Sequence, residues 1–285
     1  MTHLETANGA ASRPHAPAIS PIHAMLAKIE RRFDAEWVNA VANDPSVYDQ
    51  VRGMHQGPLD FTEPVADPRN LCLTGEHGAF FLHQRQPGLY ETHLMVLPSG
   101  RGRWAETFGR ACVHAGFVAT DAIEFMSRCP RGNIAARAIT RRGGGIFEFS
   151  SERGWPGGCD VYSLTLQEWA RRSDALMARG AWFYRRLRAE FAGQGKTLEG
   201  ENDVGSLRAA GLAYEMLLGG QYGKAVIFSE RTAAFGANTP LLITSLDPLT
   251  IEFDGAVLIV RPDGEFWAPV VKSTPIRTAS GQSLH

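Results

Sequence analysis

Two side chains able to move a proton stand two residues apart in the run YETHLMVL: Glu91 and His93. Alternation along a strand puts them on one face with Met95, while Tyr90, Thr92 and Leu94 take the other. A carboxylate or imidazole so placed can serve as a general base. The half-exposed face of an antiparallel sheet reads the same way, so Glu91 and His93 are candidate bases rather than a signature. Directly behind this run comes LPSGRGRWAETFGRA, Leu97 to Ala111, with the turn Gly100, Arg101, Gly102 and Arg103 opening a helix. A helix that begins at the end of a strand presents unpaired backbone N–H groups and the positive end of its dipole. Such a corner binds pyrophosphate without requiring any one side chain.

The elements that must hold these groups follow from hydrophobic spacing. Met25, Leu26, Ile29, Phe33, Trp37, Val38 and Val41 recur with helical period, and Pro45 limits that helix. Gly53 to Asn70 reads as a loop. NLCLTGE, GAFFLHQRQ and GLYETHLMVLP are strand-like and joined by glycine-bearing turns, which predicts an antiparallel meander. A helix over Arg103 to His114 follows, then strand AIEFMSRC, helix GNIAARAITRRGG, and strands GIFEFSS and CDVYSLTL. This alternation predicts an α/β core whose sheet is at least partly parallel.

That order, with ETHLMVLPSGRGRWA and GNIAARAITRRGGG at its centre, resembles the GNAT (Gcn5-related N-acetyltransferase) family. More closely, it looks like the divergent GNAT-like proteins of phages and phage-derived sequences. The resemblance spans roughly Ile22 to Leu166. It implies a mixed α/β (α+β) sheet flanked by helices, with acetyl-coenzyme A as cosubstrate held by the fourth strand and its following loop. Leu97, Arg101, Gly102, Arg103, Trp104 and Ala105 occupy that loop. In the family the loop runs Arg/Gln-x-x-Gly-x-Gly/Ala; here Trp104 and Glu106 replace both glycines. An indole at this point can narrow the space over the loop, and a carboxylate on the first helical turn repels a diphosphate. Asn133 and Ala136 match the stretch that lines the pantetheine arm in the family. Thr140 stands where many members carry a proton-donating tyrosine, with Gly144 and Gly145 where they carry Gly-Phe; Tyr162 is a substitute acid.

The resemblance therefore implies an acyl-coenzyme A-dependent N-acetyltransferase acting on an amine, with Glu91 or His93 as base. A GNAT-shaped binding or structural protein without turnover, associated with a virion or its assembly, is the competing reading, motivated by the missing glycines and tyrosine. Either a homodimer or a contact with a phage or host protein is open.

The remaining chain bounds these readings. A chain of 285 residues with 44% apolar residues can bury a substantial core, and its net charge of -1 argues against nucleic acid as a partner. Cys72, Cys112, Cys129 and Cys159 form no Cys-x-x-Cys pair and no zinc-type spacing with histidine, so reduced thiols, a cytoplasmic setting and no metal are expected. No apolar run is long enough to span a bilayer. The expected organisation is a flexible tail over 1–20 without signal-peptide character, the acyltransferase-like domain over 21–170, and an α+β module over 171–285. In the last, helical patterns run from Leu166 to Gln194, over Val204 to Leu218 and over Gly223 to Ala234, before strands joined by a Pro262-Asp263-Gly264 turn. The absence of histidine between Val118 and Leu284 argues against a second histidine-based site there.

Overall fold

The computed structural model describes residues 21–197, five residues of a later helical stretch (Arg208, Gly211, Leu212, Tyr214 and Glu215), and strand segments at 242–246, 249–253, 255–260 and 266–267. The expected tail over 1–20, the helix over Gly223 to Ala234 and the Pro262-Asp263-Gly264 turn lie outside the described residues.

Seven strands form one mixed sheet: β1 (Glu30–Arg32), β2 (Leu71–Gly75), β3 (Gly78–Gln86), β4 (Leu89–Val96), β5 (Glu124–Pro130), β6 (Ile146–Ser151) and β7 (Cys159–Thr165), in the spatial order β1-β2-β3-β4-β5-β7-β6. β2, β3 and β4 are the expected antiparallel meander. β4 and β5 run parallel, connected across one face by α5 (Arg103–Ala119), and β5, β7 and β6 are antiparallel again. The class is the expected one, a mixed sheet flanked by helices, and a C-terminal sheet of β8 (Leu242–Leu246), β9 (Leu249–Phe253), β10 (Ala256–Val260) and β11 (Phe266–Trp267) accompanies it.

Alternation on β4 sorts its side chains between two cores. Tyr90 joins Phe80, Leu82, Phe108, Cys112, Phe117 and Phe125 beneath α5. On the opposite face Met95 joins Val38, Val41, Val47 and Phe81 beneath α2 (Glu36–Ala42) and α3 (Pro45–Val51). The first core continues past Arg171 through Leu176, Phe183, Leu187 and Phe191 of α8 (Asp174–Gly193) to Leu212, Ile251 and Leu258. α7 (Leu166–Arg172) is short, and Ser173 caps α8 by accepting from the Leu176 N–H. All four cysteines are buried and free; burial pushes the Cys72 thiol up to about 11, which leaves it inert as a nucleophile.

Three local expectations are corrected. The helical spacing from Met25 to Val41 is not one helix: α1 (Pro21–Leu26) ends early, and Glu30–Arg32 pair with Thr74–Cys72 as β1. The free edge of β2 offers backbone partners that outweigh local propensity, and Phe33 is left exposed. Pro45 starts a helix instead of merely ending one, because it sits at the first position of α3 with Asp44 accepting from the Ser46 N–H at 2.8 Å. A short helix, α4 (Thr62–Ala66), interrupts the expected Gly53 to Asn70 loop.

Phe108 and Phe117 are fully buried on the face that seats α5 on the sheet. Truncating Phe108 to Ala should cost about 3–5 kcal/mol in urea unfolding. A loss below about 1 kcal/mol would mean that α5 does not rest on this core.

Candidate active site

The site begins where two strands part. β4 and β5 pair over four positions only, Leu89↔Glu124 to Thr92↔Ser127. Beyond that point β4 continues to Val96 paired with β3 alone, and β5 continues to Pro130 paired with β7 alone. The closed end of the fork is bolted on both faces. On one, Thr92 Oγ1 and Ser127 Oγ share a hydrogen bond of 2.5 Å. On the other, Arg128 donates through Nε and Nη2 to Glu91 Oε1, at 2.7 and 2.5 Å.

The open end holds a cavity of about 460 Å³. Its walls are Thr92, His93, Leu94 and Val96 from β4, Ser127 to Pro130 from β5, Ser46, Val47, Gln50 and Val51 from α3, Arg101, Gly102 and Ala105 at the start of α5, and Asn133, Ala136, Ile139 and Thr140 of α6 (Ile134–Arg142), with Trp155 nearby. A smaller cavity shares Thr92, Leu94, Ser127, Ile139 and Thr140 with it and adds Tyr162.

The phosphate corner keeps its donors. Gly102 precedes α5 with φ +87°, a left-handed conformation that disfavours other residues, and an added Cβ there would meet open space. Among the described residues, the N–H groups of Gly102, Arg103, Trp104 and Ala105 reach no acceptor; the first bond of the helix is Glu106 N–H to Gly102 C=O at 3.1 Å. Unfilled amides around an open glycine, at the mouth of a cavity, fit a diphosphate.

The indole does not cover this corner. Trp104 stacks on Phe108 with centroids 4.6 Å apart and meets His77 edge-on at 5.1 Å. Gly75 makes room for it, since a Cβ there would lie 3.1 Å from Trp104 Cζ2. Glu106 also turns away, toward Arg142 at 3.5 Å in the groove between α5 and α6. Both substitutions are therefore spent on packing and ion pairing behind the loop.

The other sequence-chosen residues divide. Arg101 borders the cavity, but its Nη2 donates to the Ser46 carbonyl at 2.8 Å and so ties the loop to α3. Leu97 packs into the α2/α3 core and does not line the cavity. Asn133 lines it, with Oδ1 capping α6 through the Ala136 N–H at 2.9 Å; Ala136 lines it as well. Thr140 is engaged with Cys129 Sγ at 3.4 Å. Tyr162 is buried, with a hydroxyl that has no hydrogen-bond partner.

Glu91 and His93 share a face as their spacing predicts, yet their surroundings differ. Glu91 is 1% exposed and already accepts two N–H groups from Arg128, with Arg85 3.7 Å from its other oxygen. The His93 side chain keeps 28% of its surface and lines the cavity. Burial, aided by the Arg128 guanidinium and opposed by Glu91, pushes the His93 imidazole down to about 4. At neutral pH it is therefore an uncharged acceptor. Sequence spacing did not single out Arg128, Trp155 or the α3 residues; the Asp44-Pro45 pair, an N-cap followed by proline, was the available sign of α3.

No family model and no curated protein matches the chain. Solved structures similar to it include spermidine N-acetyltransferase from Vibrio cholerae in complex with coenzyme A and spermine, at 11% identity, covering 50% of this chain and 98% of that one with a TM-score of 0.42. An acetyltransferase of the GNAT family from Bacillus anthracis shows 14% identity, 50% and 96% coverage and a TM-score of 0.41. The ribosomal alpha-N-protein acetyltransferase RimL shows 15%, 34% and 70%, and 0.31. What decides the chemistry is the chain's own cavity. Among the described residues, no helix is long and apolar enough to cross a membrane.

The His93 imidazole should titrate with a midpoint below about pH 5 by NMR, against the ordinary 6.5. Because the unfolded chain then binds the proton first, stability should fall as pH drops from about 6.5 toward 4, and His93→Gln should flatten that fall. A midpoint above about 6 contradicts the assignment of His93 as a neutral acceptor.

Proposed function

We propose that this protein is an acyl-coenzyme A-dependent N-acetyltransferase whose acceptor is an amine. The observation that carries the reading is the cavity at the fork, with Gly102 and Ala105 of the free-amide corner and a neutral histidine on its wall. The amides of Gly102, Arg103, Trp104 and Ala105 hold the diphosphate, and Asn133 and Ala136 border the pantetheine arm. When bound, the acyl-coenzyme A supplies a thioester carbonyl as electrophile. Residues 21–170 carry this chemistry, and 171–285 form the accessory unit.

The acceptor enters between α3 and β4, past Gln50 and Trp155. As the N–C bond forms, the nitrogen becomes acidic and His93 takes its proton, while the thioester C–S bond breaks and coenzyme A leaves as its thiolate, which takes a proton from the Tyr162 hydroxyl or from water. A base this weak sits below the ideal for pH 7, which places its contribution at the low end of the usual range, about 10²-fold. Glu91 holds Arg128 across the closed end of the fork and is a positioning residue. Tyr162 has a hydroxyl without a hydrogen-bond partner on the smaller cavity that shares Thr92, Leu94 and Thr140 with this one, and Thr140 shares a hydrogen bond with Cys129.

That engagement of Thr140, at the position where the family carries its tyrosine, is also what favours a second reading: a GNAT-shaped binding or structural protein without turnover, including the phage-associated role that the sequence resemblance implies. The two differ in one assay. Thiol release from acetyl-coenzyme A should rise with a suitable primary amine from a panel of polyamines, peptide N-termini and aminoglycosides. His93→Gln should lower kcat about 10²-fold with KM for acetyl-coenzyme A little changed, whereas Glu91→Gln, which still offers Arg128 an acceptor, should keep most of the activity. The reverse order would make Glu91 the base; binding with no turnover on the whole panel would favour the second reading.

A further inference from the structure

A second cluster lies on the far side of α5, where the N-terminal helix meets the C-terminal half. His114 of α5 is 2% exposed, and neither ring nitrogen has a hydrogen-bond partner. An imidazole buried without partners costs about 1–3 kcal/mol, so its surroundings call for an explanation. His23 of α1 and Glu215 of the later helix stand beside it. His23 Nε2 is 3.1 Å from Glu215 Oε1, and His114 Nε2 is 3.7 Å from Glu215 Oε2. One donor atom from each of the three lies within 4.8 Å of the others.

We propose that His23, His114 and Glu215 form a binding site for one divalent transition-metal ion of the zinc class, which joins α1 and α5 to the C-terminal half. Nitrogen and carboxylate ligands at about 2.0–2.2 Å from a tetrahedral ion stand about 3.3 Å apart, and the three donor atoms here lie within 4.8 Å of one another before an ion draws them in. Two histidines and one glutamate are a borderline-soft set that suits zinc better than magnesium or calcium. The ion would give His114 the partner it lacks.

The remaining neighbours fit this role. Arg179 donates through Nε to Glu215 Oε1 at 2.6 Å, which fixes the carboxylate and leaves Oε2 facing His114. Hydrogen-bonded carboxylates of this kind are the usual support for a metal ligand. The Trp169 ring meets His114 edge-on at 5.4 Å and the His23 ring meets it at 5.6 Å, so the imidazole is held in place. His114 also borders a cavity of about 590 Å³ reaching to Arg110 and Ser173. Sequence spacing could not show this site, because its histidines lie 91 positions apart and its carboxylate comes from a region without histidine.

The test uses the untagged full chain, stripped with a chelator and titrated with Zn²⁺ by calorimetry, then with Co²⁺ by visible absorption. One Zn²⁺ should bind per chain, with the intense absorption of four-coordinate Co²⁺ and a rise in melting temperature. His114→Gln should weaken Zn²⁺ binding at least about 100-fold. His23→Gln, at a partly exposed position on a short helix, should do the same in a chain that still folds if the first variant does not. Failure to bind one equivalent, or equal binding by wild type and His23→Gln, would overturn the proposal and leave the cluster as an ion pair of Glu215 with Arg179 and His23.

Discussion

The structure turns on the parting of two parallel strands. A sheet gains from continuing its ladder, yet β4 and β5 stop after four paired positions and each goes on with a single neighbour. Backbone groups left on the inner edges of such a fork need water or a ligand, because buried unpaired amides and carbonyls are costly. The fork stays open without unzipping because its closed end is fastened twice, by Thr92 with Ser127 on one face and Glu91 with Arg128 on the other. The second fastening sets the two residues of that face apart: Glu91 is buried and holds the Arg128 guanidinium, whereas His93, one step further along the same face, lines the cavity.

The corner at Gly102 shows how main-chain chemistry survives side-chain change. Trp104 and Glu106 stand where glycines would leave the loop bare, but their side chains go elsewhere: Trp104 onto Phe108 and His77, Glu106 toward Arg142. Donors on the first turn of a helix belong to the backbone and are indifferent to what the side chains do, provided these do not fold back over them. Gly102 keeps a positive φ that disfavours other residues at the start of that turn.

Much of this was legible in the sequence. The meander, the strand-to-helix corner and the shared face of Glu91 and His93 follow from period and turn chemistry, which act over a few residues. The parts that were not legible depend on distant partners. Glu30 to Arg32 became a strand because β2 had a free edge, not because of their own propensity. The direction of the Trp104 ring depends on Gly75, nearly thirty residues earlier in the chain, and the state of Glu91 depends on Arg128 in another strand. The α3 wall was written locally in Asp44 and Pro45, where proline opens a helix as readily as it closes one.

Whether backbone amides at the start of α5 hold a diphosphate is read out by adding coenzyme A to isotope-labelled protein and following the amide resonances of Gly102, Arg103, Trp104 and Ala105. These four should shift together and saturate, with smaller changes at Asn133 and Ala136. A folded protein in which they stay unmoved at millimolar coenzyme A, or in which the shifts gather elsewhere, contradicts the account.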